Sequence, residues 1–452
     1  MKRLAPVLIS VALISLCATS PVSAAAAASL SALQTTVNNA RAGDRVVLAD
    51  GDYTTGGPIT ISRSGTAAAP ITITAATDGG ARIGGTAGFV FADGVHHVVL
   101  RGFDFRGGSL TVPPTAQANR ITRNTFQSGA EGNWVTVSAD DTEVDHNTFQ
   151  NHTKAGVYLQ VTGPGDEIAK RTWIHHNYFY NHTFGGSNGG ESIRLGYSHK
   201  QSKSANAIVE YNLFEKANGD SEAVSIKSSD NIVRYNTIRN SRGFIVLRHG
   251  NRSVVEGNLL FGSGIRFHGN DHKIVNNYVY NTGAGRAIVF GSGSEADSGP
   301  TSKEHDRPDR VTVAFNTVVG TSSVIDSDGG NFKPKDCVVA NNIVKGSSGK
   351  LINMTSGATV RYEGNILWGA TAGIPSGFRS VDPKLAQDAN GLYRLAAGSP
   401  AIDTSTGGYP YAGKDFDLQT RSGTFDVGAD EYTATAGGRK ALTTADVGPK
   451  AP

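Results

Sequence analysis

Residues 220–227, DSEAVSIK, set two carboxylates two positions apart and end on a single lysine. Twenty-one residues further on, IVLRHG carries Arg248 in a similar apolar setting. Four short segments share one alternation: Ile193-Arg194-Leu195, Val224-Ser225-Ile226-Lys227, Ile245-Val246-Leu247-Arg248 and Ile265-Arg266-Phe267. In a strand, successive side chains face opposite sides. With Ile and Leu turned into a core, Arg194, Lys227, Arg248 and Arg266 all turn outward. Their separations of 33, 21 and 18 residues suit one structural repeat each, the first with an insertion. Such a file of like charges repels itself and makes sense opposite an anion, for which an acidic polysaccharide lying across the repeats is the natural candidate. The bland reading is four solvent-facing cations on strands. Asp220 and Glu222 share a face, yet strict alternation from Glu222 turns Lys227 to the other. A bend near Ala223 is therefore expected. Two carboxylates with an Asn carbonyl would form a hard oxygen site of the kind that takes Ca²⁺.

The elements that position these residues form a repeat. A phrase of two or three apolar residues, a polar pair, Asn, one residue and an apolar residue recurs, as in VDHNTF, IVEYNLF, IVRYNTI and VVANNIV. Its asparagines fall at 124, 147, 177, 212, 236, 258, 277, 316, 342 and 365. The shortest units run 19–26 residues, with insertions in the gaps 147–212 and 277–316, where groove-closing loops are expected. Short alternating strands at this period indicate a solenoid. A leucine-spaced consensus is missing, and so is a blade signature, which weakens a β-propeller. The expected fold is all-β: a right-handed parallel β-helix of three strands per coil, its asparagines stacked as an amide ladder at one turn. LSALQTTVNNARAGD reads as a short N-terminal helix capping the first coil, whose edge would otherwise invite pairing. SPAID and DFDLQTRSGTFDVGADEY are expected to close the last coils. Residues 434–452, small, polar and Gly/Pro-rich, read as a disordered tail.

The 452 residues include 56 Gly, which suits a turn-rich β protein. Lys plus Arg (42) nearly balance Asp plus Glu (39), so placement rather than net charge must reveal a polyanion partner. Residues 1–24 have a basic start, a short apolar run and a small-residue end, the pattern of a secretory signal; lipidation at Cys17 is the lesser reading. A secreted protein with residues 25–433 as one β-helix is expected, with no nucleic-acid or membrane partner, as a monomer. Removal of the signal leaves Cys337 alone, hence no intrachain disulfide.

NGGESIRLG (188–196), NGDSEAVSIKSSDNIVRYNT (218–237), FIVLRHGN (244–251) and GIRFHGNDHKIVNNY (264–278) together resemble polysaccharide lyase family six, which contains chondroitinase B and many alginate lyases on a parallel β-helix. ARAGDRVVLADGDY and SGTAAAPITI resemble its N-terminal region. The resemblance implies Lys227 as Brønsted base and Arg248 as proton donor. It implies Asn188, Asp220 and Glu222 as Ca²⁺ ligands, with Asp220 where the family usually has Glu. Glu191, Arg194, His249 and Arg266 match substrate-contacting positions. Glu191 is closer to the alginate lyases than to chondroitinase B, which has glycine there.

The implied reaction is calcium-assisted β-elimination on an acidic polysaccharide, most simply mannuronate-containing alginate, with dermatan sulfate as the alternative. Adjacent Arg248 and the metal would lower the Lys227 pKa toward the range a lysine base requires. A β-helical glycoside hydrolase would use Asp220 and Glu222 as its acid pair but would leave the cations without a role. A non-catalytic polyuronate-binding protein would keep the cations without needing Lys227.

Overall fold

The computed structural model describes residues 26–54, 57–85, 88–281, 286–296, 299–322, 324–434 and 438–452. Among them, strands gather into three long sheets of 13, 14 and 12 strands, and each of the first twelve coils gives one strand to each sheet. Along each sheet every strand pairs in parallel with the strand one coil on, as Ile208–Glu210 pairs with Ile232–Arg234 and then Val254–Glu256. This is the expected right-handed parallel β-helix; a propeller, with its antiparallel blades, is excluded. The predicted signal segment lies outside the described residues.

The recurring phrase owes its form to one turn. The residue before each ladder asparagine has left-handed backbone: His146, His176, Tyr211, Tyr235, Asn276, Phe315 and Asn341 all have φ of 51–56°. A non-glycine residue there costs about 1–2 kcal/mol. The asparagine that follows offsets it. Its backbone N–H donates to the side-chain oxygen of the asparagine one coil on at 2.9–3.0 Å, unbroken from Asn124 to Asn365. Its side-chain amide donates to the same oxygen at 2.9–3.1 Å. All these asparagines are fully buried, where an unmade hydrogen bond is expensive. Inside the coils, Phe105, Phe126, Phe149, Phe179 and Phe214 stack nearly parallel at 4.8–4.9 Å, the coil rise itself.

The capping helix is Leu30–Asn39, started by Ser29, whose hydroxyl accepts from the Ala32 N–H, with Leu33 and Val37 buried against the first coil. The C-terminal region reaches further than expected. Ala401 and Val427, from the two segments expected to close the last coils, cover Ile343 and Ile366 there together with Leu395, and the remainder packs along the flank. Phe416, Ala429 and Leu392 cover Leu259 and Tyr278, while Tyr409 and Ala412 cover Phe315 and Ala340. Residues 438–452, expected to be disordered, lie docked along the turn column. Arg439 donates to the Phe416 carbonyl at 2.7 Å, Gly448 N–H to His176 O at 2.8 Å, and Arg123 to Ala451 O at 2.6 Å. Composition alone marks such a segment as unable to build a core; here its backbone is satisfied by carbonyls and arginines that the left-handed turns leave facing outward. No helix among the described residues is long and apolar enough to cross a membrane.

Asn212→Ala removes two ladder links and strands the Asn177 backbone N–H in the core. It should destabilise the protein by on the order of 2–4 kcal/mol, read from the denaturant midpoint. A loss below about 0.5 kcal/mol would mean that the ladder is decoration.

Candidate active site

The outward cations lie on one sheet, on strands Ile193–Gly196, Glu222–Lys227, Phe244–His249 and Ile265–Phe267. The expectation of a single file needs correction. Arg194 pairs in register with Ser225, Ser225 with Val246, and Val246 with Arg266. Lys227 pairs instead with Gly196 and His249. Register shifts between Glu222 and Val224, and between Ile226 and Lys227, make Ala223 and Arg248 the extra residues of two bulges. There are thus two columns: Arg194 and Arg266 along one, Lys227 and Arg248 displaced along the strands beside them. The bend expected at Ala223 is the first bulge. Bulges break strict alternation and re-aim side chains.

Carboxylates thread between the cations. Arg248 Nη1 donates to Glu222 Oε1 at 2.6 Å. Arg194 makes a two-pronged bond to Glu191 at 2.9 and 2.6 Å, and Lys227 Nζ lies 3.7 Å from the same carboxylate. Glu191 was expected at the substrate; its side chain is 0 % exposed and lies beneath Arg194 and Lys227, which it orients. Lys227 is itself only 9 % exposed. Burial is the main cause that brings its pKa below the ordinary lysine value; Glu191 and Glu222 oppose this, while Arg194 and Arg248 assist it. Arg248, expected from the sequence as a principal cause, is exceeded by desolvation.

His249 is buried, and its Nδ1 lies 3.1 Å from the Glu304 carbonyl. Arg266 is the most open of the set at 43 % and donates to Asp328 at 2.6 Å. Asp328 also receives Arg286 at 2.7 Å, and Arg286 reaches Asp326 at 2.6 Å. Sequence reasoning missed Arg286, Asp326 and Asp328. The register could have found Asp326, which continues the column of Arg266 and Val289; Arg286 precedes its strand, where alternation says nothing. A cleft of about 230 Å³ opens between Glu222, Arg242, Phe244, Arg266 and Arg286. A larger hollow of about 610 Å³ at the N-terminal cap is lined by one charged group, Asp52, which Arg82 neutralises.

The expected metal ligands pass a chemical test in part. Asp220 Oδ2 and Glu222 Oε2 are buried and have no hydrogen-bond partner among the described residues. Two orphaned carboxylate oxygens, two residues apart before a bulge, suit a hard cation. Asn188 is exposed, on a loop whose Gly190 lies close against the backbone of Gly219, the neighbour of Asp220. A Cβ added at Gly190 would lie 2.3 Å from Gly219 O, so only glycine lets the loop lie there. Two other ligand groupings, Asp145–His146–His175 and Asp415–Asp417–Asp430, lie away from this sheet. Each is already held by an arginine, Arg120 and Arg394 respectively.

A sequence model of the chondroitinase B family matches residues 27–354. A variant of the PL6 family alginate lyase AlyGC superposes with a TM-score of 0.74 at 25% identity, over 82% of this chain and 55% of that one. This chain thus spans little more than half of that protein's length. A mannuronic acid specific family 6 lyase from human gut microbiota superposes with a TM-score of 0.67 at 25% identity, over 78% of this chain and 89% of that one. The family lyase Pedsa3628 from Pseudopedobacter saltans, at 19% identity, shares the fold with a TM-score of 0.67 over 93% of this chain and 98% of its own. No curated protein sequence matches the chain.

Glu191→Gln keeps one acceptor for Arg194 but removes the negative charge that favours protonated Lys227. Lys227 should then titrate at lower pH, followed by NMR of labelled lysine side chains. An unchanged or higher midpoint would show that Glu191 does not govern the lysine.

Proposed function

Because the chain belongs to the chondroitinase B family, polysaccharide lyase family six, we propose that it is a secreted polysaccharide lyase that cleaves alginate, mannuronate-containing stretches included, by β-elimination. One observation carries this reading: a desolvated lysine of lowered pKa, Lys227, set beside an arginine clamped by a carboxylate, Glu222, which itself lines a cleft edged with further arginines. The two lyases at 25% identity, one named for alginate and one for mannuronic acid, support the substrate.

In the reaction, neutral Lys227 Nζ takes the C5 proton of a uronate. The electron pair of the C5–H bond becomes the C4=C5 double bond, and the C4–O4 bond breaks. Arg248 faces the departing O4 and provides its proton, held in place by Glu222. Arg194 and Arg266 bind carboxylates of the sugar chain, Arg194 on its Glu191 support. His249 contributes a hydrogen bond from the groove floor. Asn188, Asp220 and Glu222 would hold Ca²⁺, which when bound supplies charge neutralisation to the uronate carboxylate and so acidifies C5–H. A hydrolase using Asp220 and Glu222 as its acid pair fits less well, since Glu222 is committed to Arg248 and Asp220 Oδ1 to Ser221.

The protein should raise ultraviolet absorbance on alginate as unsaturated uronate ends form; dermatan sulfate is the parallel arm. New reducing ends without absorbance would identify a hydrolase, and binding without cleavage a non-catalytic module. Lys227→Ala and Arg248→Ala should each lower turnover by at least ~10³-fold with circular dichroism unchanged; near-normal turnover in either would remove its assigned role. Chelation should suppress activity and Ca²⁺ restore it, whereas chelator-insensitive turnover would exclude the metal.

The pH dependence follows from Lys227. Only its neutral form is a base, so kcat/KM should rise with pH and level off once the lysine is deprotonated. With its pKa lowered, the plateau should come at lower pH than for an ordinary lysine. A rate that falls through the same range would contradict the assignment.

A further inference from the structure

The insertion anticipated in the gap 277–316 folds against the candidate active site and brings an imidazole into it. His305 lies between two histidines of the sheet, its ring 4.6 Å from that of His249 and 4.4 Å from that of His268. His249 directly follows Arg248 and is in register with Lys227. We propose that the segment 299–309 is a working wall of the active site, and that His305 is a positioning residue whose ring, wedged between His249 and His268, makes His249 present an unprotonated Nε2 to the substrate. This inference rests on the lyase reading for what His249 meets, though not for how His249 is held.

Hydrogen-bond chemistry fixes the tautomer. A backbone carbonyl only accepts, so the His249 Nδ1 that lies 3.1 Å from Glu304 O must carry the proton. Nε2 then keeps its lone pair and accepts from a donor such as a sugar hydroxyl. The same logic holds for His268, whose Nδ1 donates to Ser292 O at 2.8 Å. Both carbonyls belong to the insertion, and Glu304 immediately precedes His305. The wedge therefore sets the distance at which the loop carbonyl meets the His249 ring.

The segment is anchored on several sides. The His305 carbonyl accepts from Ser294 N–H at 2.8 Å and from Glu295 N–H at 3.2 Å. Gly269 N–H donates to Asp306 O at 3.1 Å, and Gln201 donates to Ser302 O at 2.8 Å. At Gly291 an added Cβ would lie 2.3 Å from the His268 ring, so the insertion leaves the sheet hard against that imidazole. Lys227, Arg248 and Arg266 face the stack, and Glu304 is the opposing charge at His305. Burial and these cations bring His305 to about 4, and burial, then His305 with Lys227 and Arg248, brings His249 to about 3, so the rings stack as neutral imidazoles at neutral pH.

The test uses the full chain with ¹⁵N-labelled histidine, its ring nitrogens read by two-bond proton correlation and His249 assigned by loss of its signals in His249→Asn. Wild type should show His249 as the Nδ1–H tautomer. His305→Ala should move it to a mixture, and His305→Phe, which keeps a stacking ring without nitrogens, should restore it. On alginate, His305→Ala should raise KM about tenfold with kcat within about threefold, and His305→Phe should recover most of that loss. The proposal is overturned if wild-type His249 is the Nε2–H tautomer, if His305→Ala changes neither tautomer nor KM, or if His305→Phe is as impaired as His305→Ala. A wild-type protein inert on every uronan would sink the lyase reading, and the ring spectra would still decide the role of His305.

Discussion

Every other feature of this molecule depends on coil-to-coil stacking in register, held by the buried asparagine ladder. A β-helix has no long-range covalent restraint; its coils could slip by a residue, and each slip would turn inward side chains outward. The ladder makes slippage expensive, because an asparagine moved by one position leaves its own donors and its neighbour's acceptor unmade in the core. It also supports a run of left-handed residues that would not hold that conformation alone. The stacked phenylalanines add apolar contact at the same spacing. With the rise so defined, residues far apart in sequence become neighbours about 4.8 Å apart.

The candidate site arises where this regularity is interrupted. The bulges at Ala223 and Arg248 let Glu222, Lys227 and Arg248 come together on one face, which unbroken alternation forbids. A bare cation file would be self-repelling, and the structure does not leave it bare. Glu191, Glu222 and Asp328 are interleaved so that each outward arginine has a carboxylate. Glu191 thus supports Arg194 and Lys227 from beneath, and Lys227, nearly enclosed, is the least exposed of the four cations. A solvated lysine would stay protonated and could not act as a base.

The insertions complete the groove. One carries Asn188 and Glu191 up to the coil of Asp220 and Lys227, and another carries Glu304 and His305 to His249. Solenoids tolerate such loops because each coil needs only its strands and turns to stack on its neighbours.

The sequence by itself determined the repeat, the three-strand coil, the capping helix and the asparagine column, since each rests on local periodicity or on one residue type recurring at one turn. It also identified Lys227 and Arg248 as outward-facing and a bend at Ala223. Only the tertiary structure decided that the cations form two columns, that Glu191 lies beneath them, and that burial rather than Arg248 chiefly lowers the lysine's pKa. It alone brought in Asp328, Arg286 and His305, and it docked residues 438–452 that composition would leave free. The physical reason is the same in each case. Alternation and composition report what a residue can do on its own strand, whereas bulges, desolvation and loop docking are properties of several coils packed together.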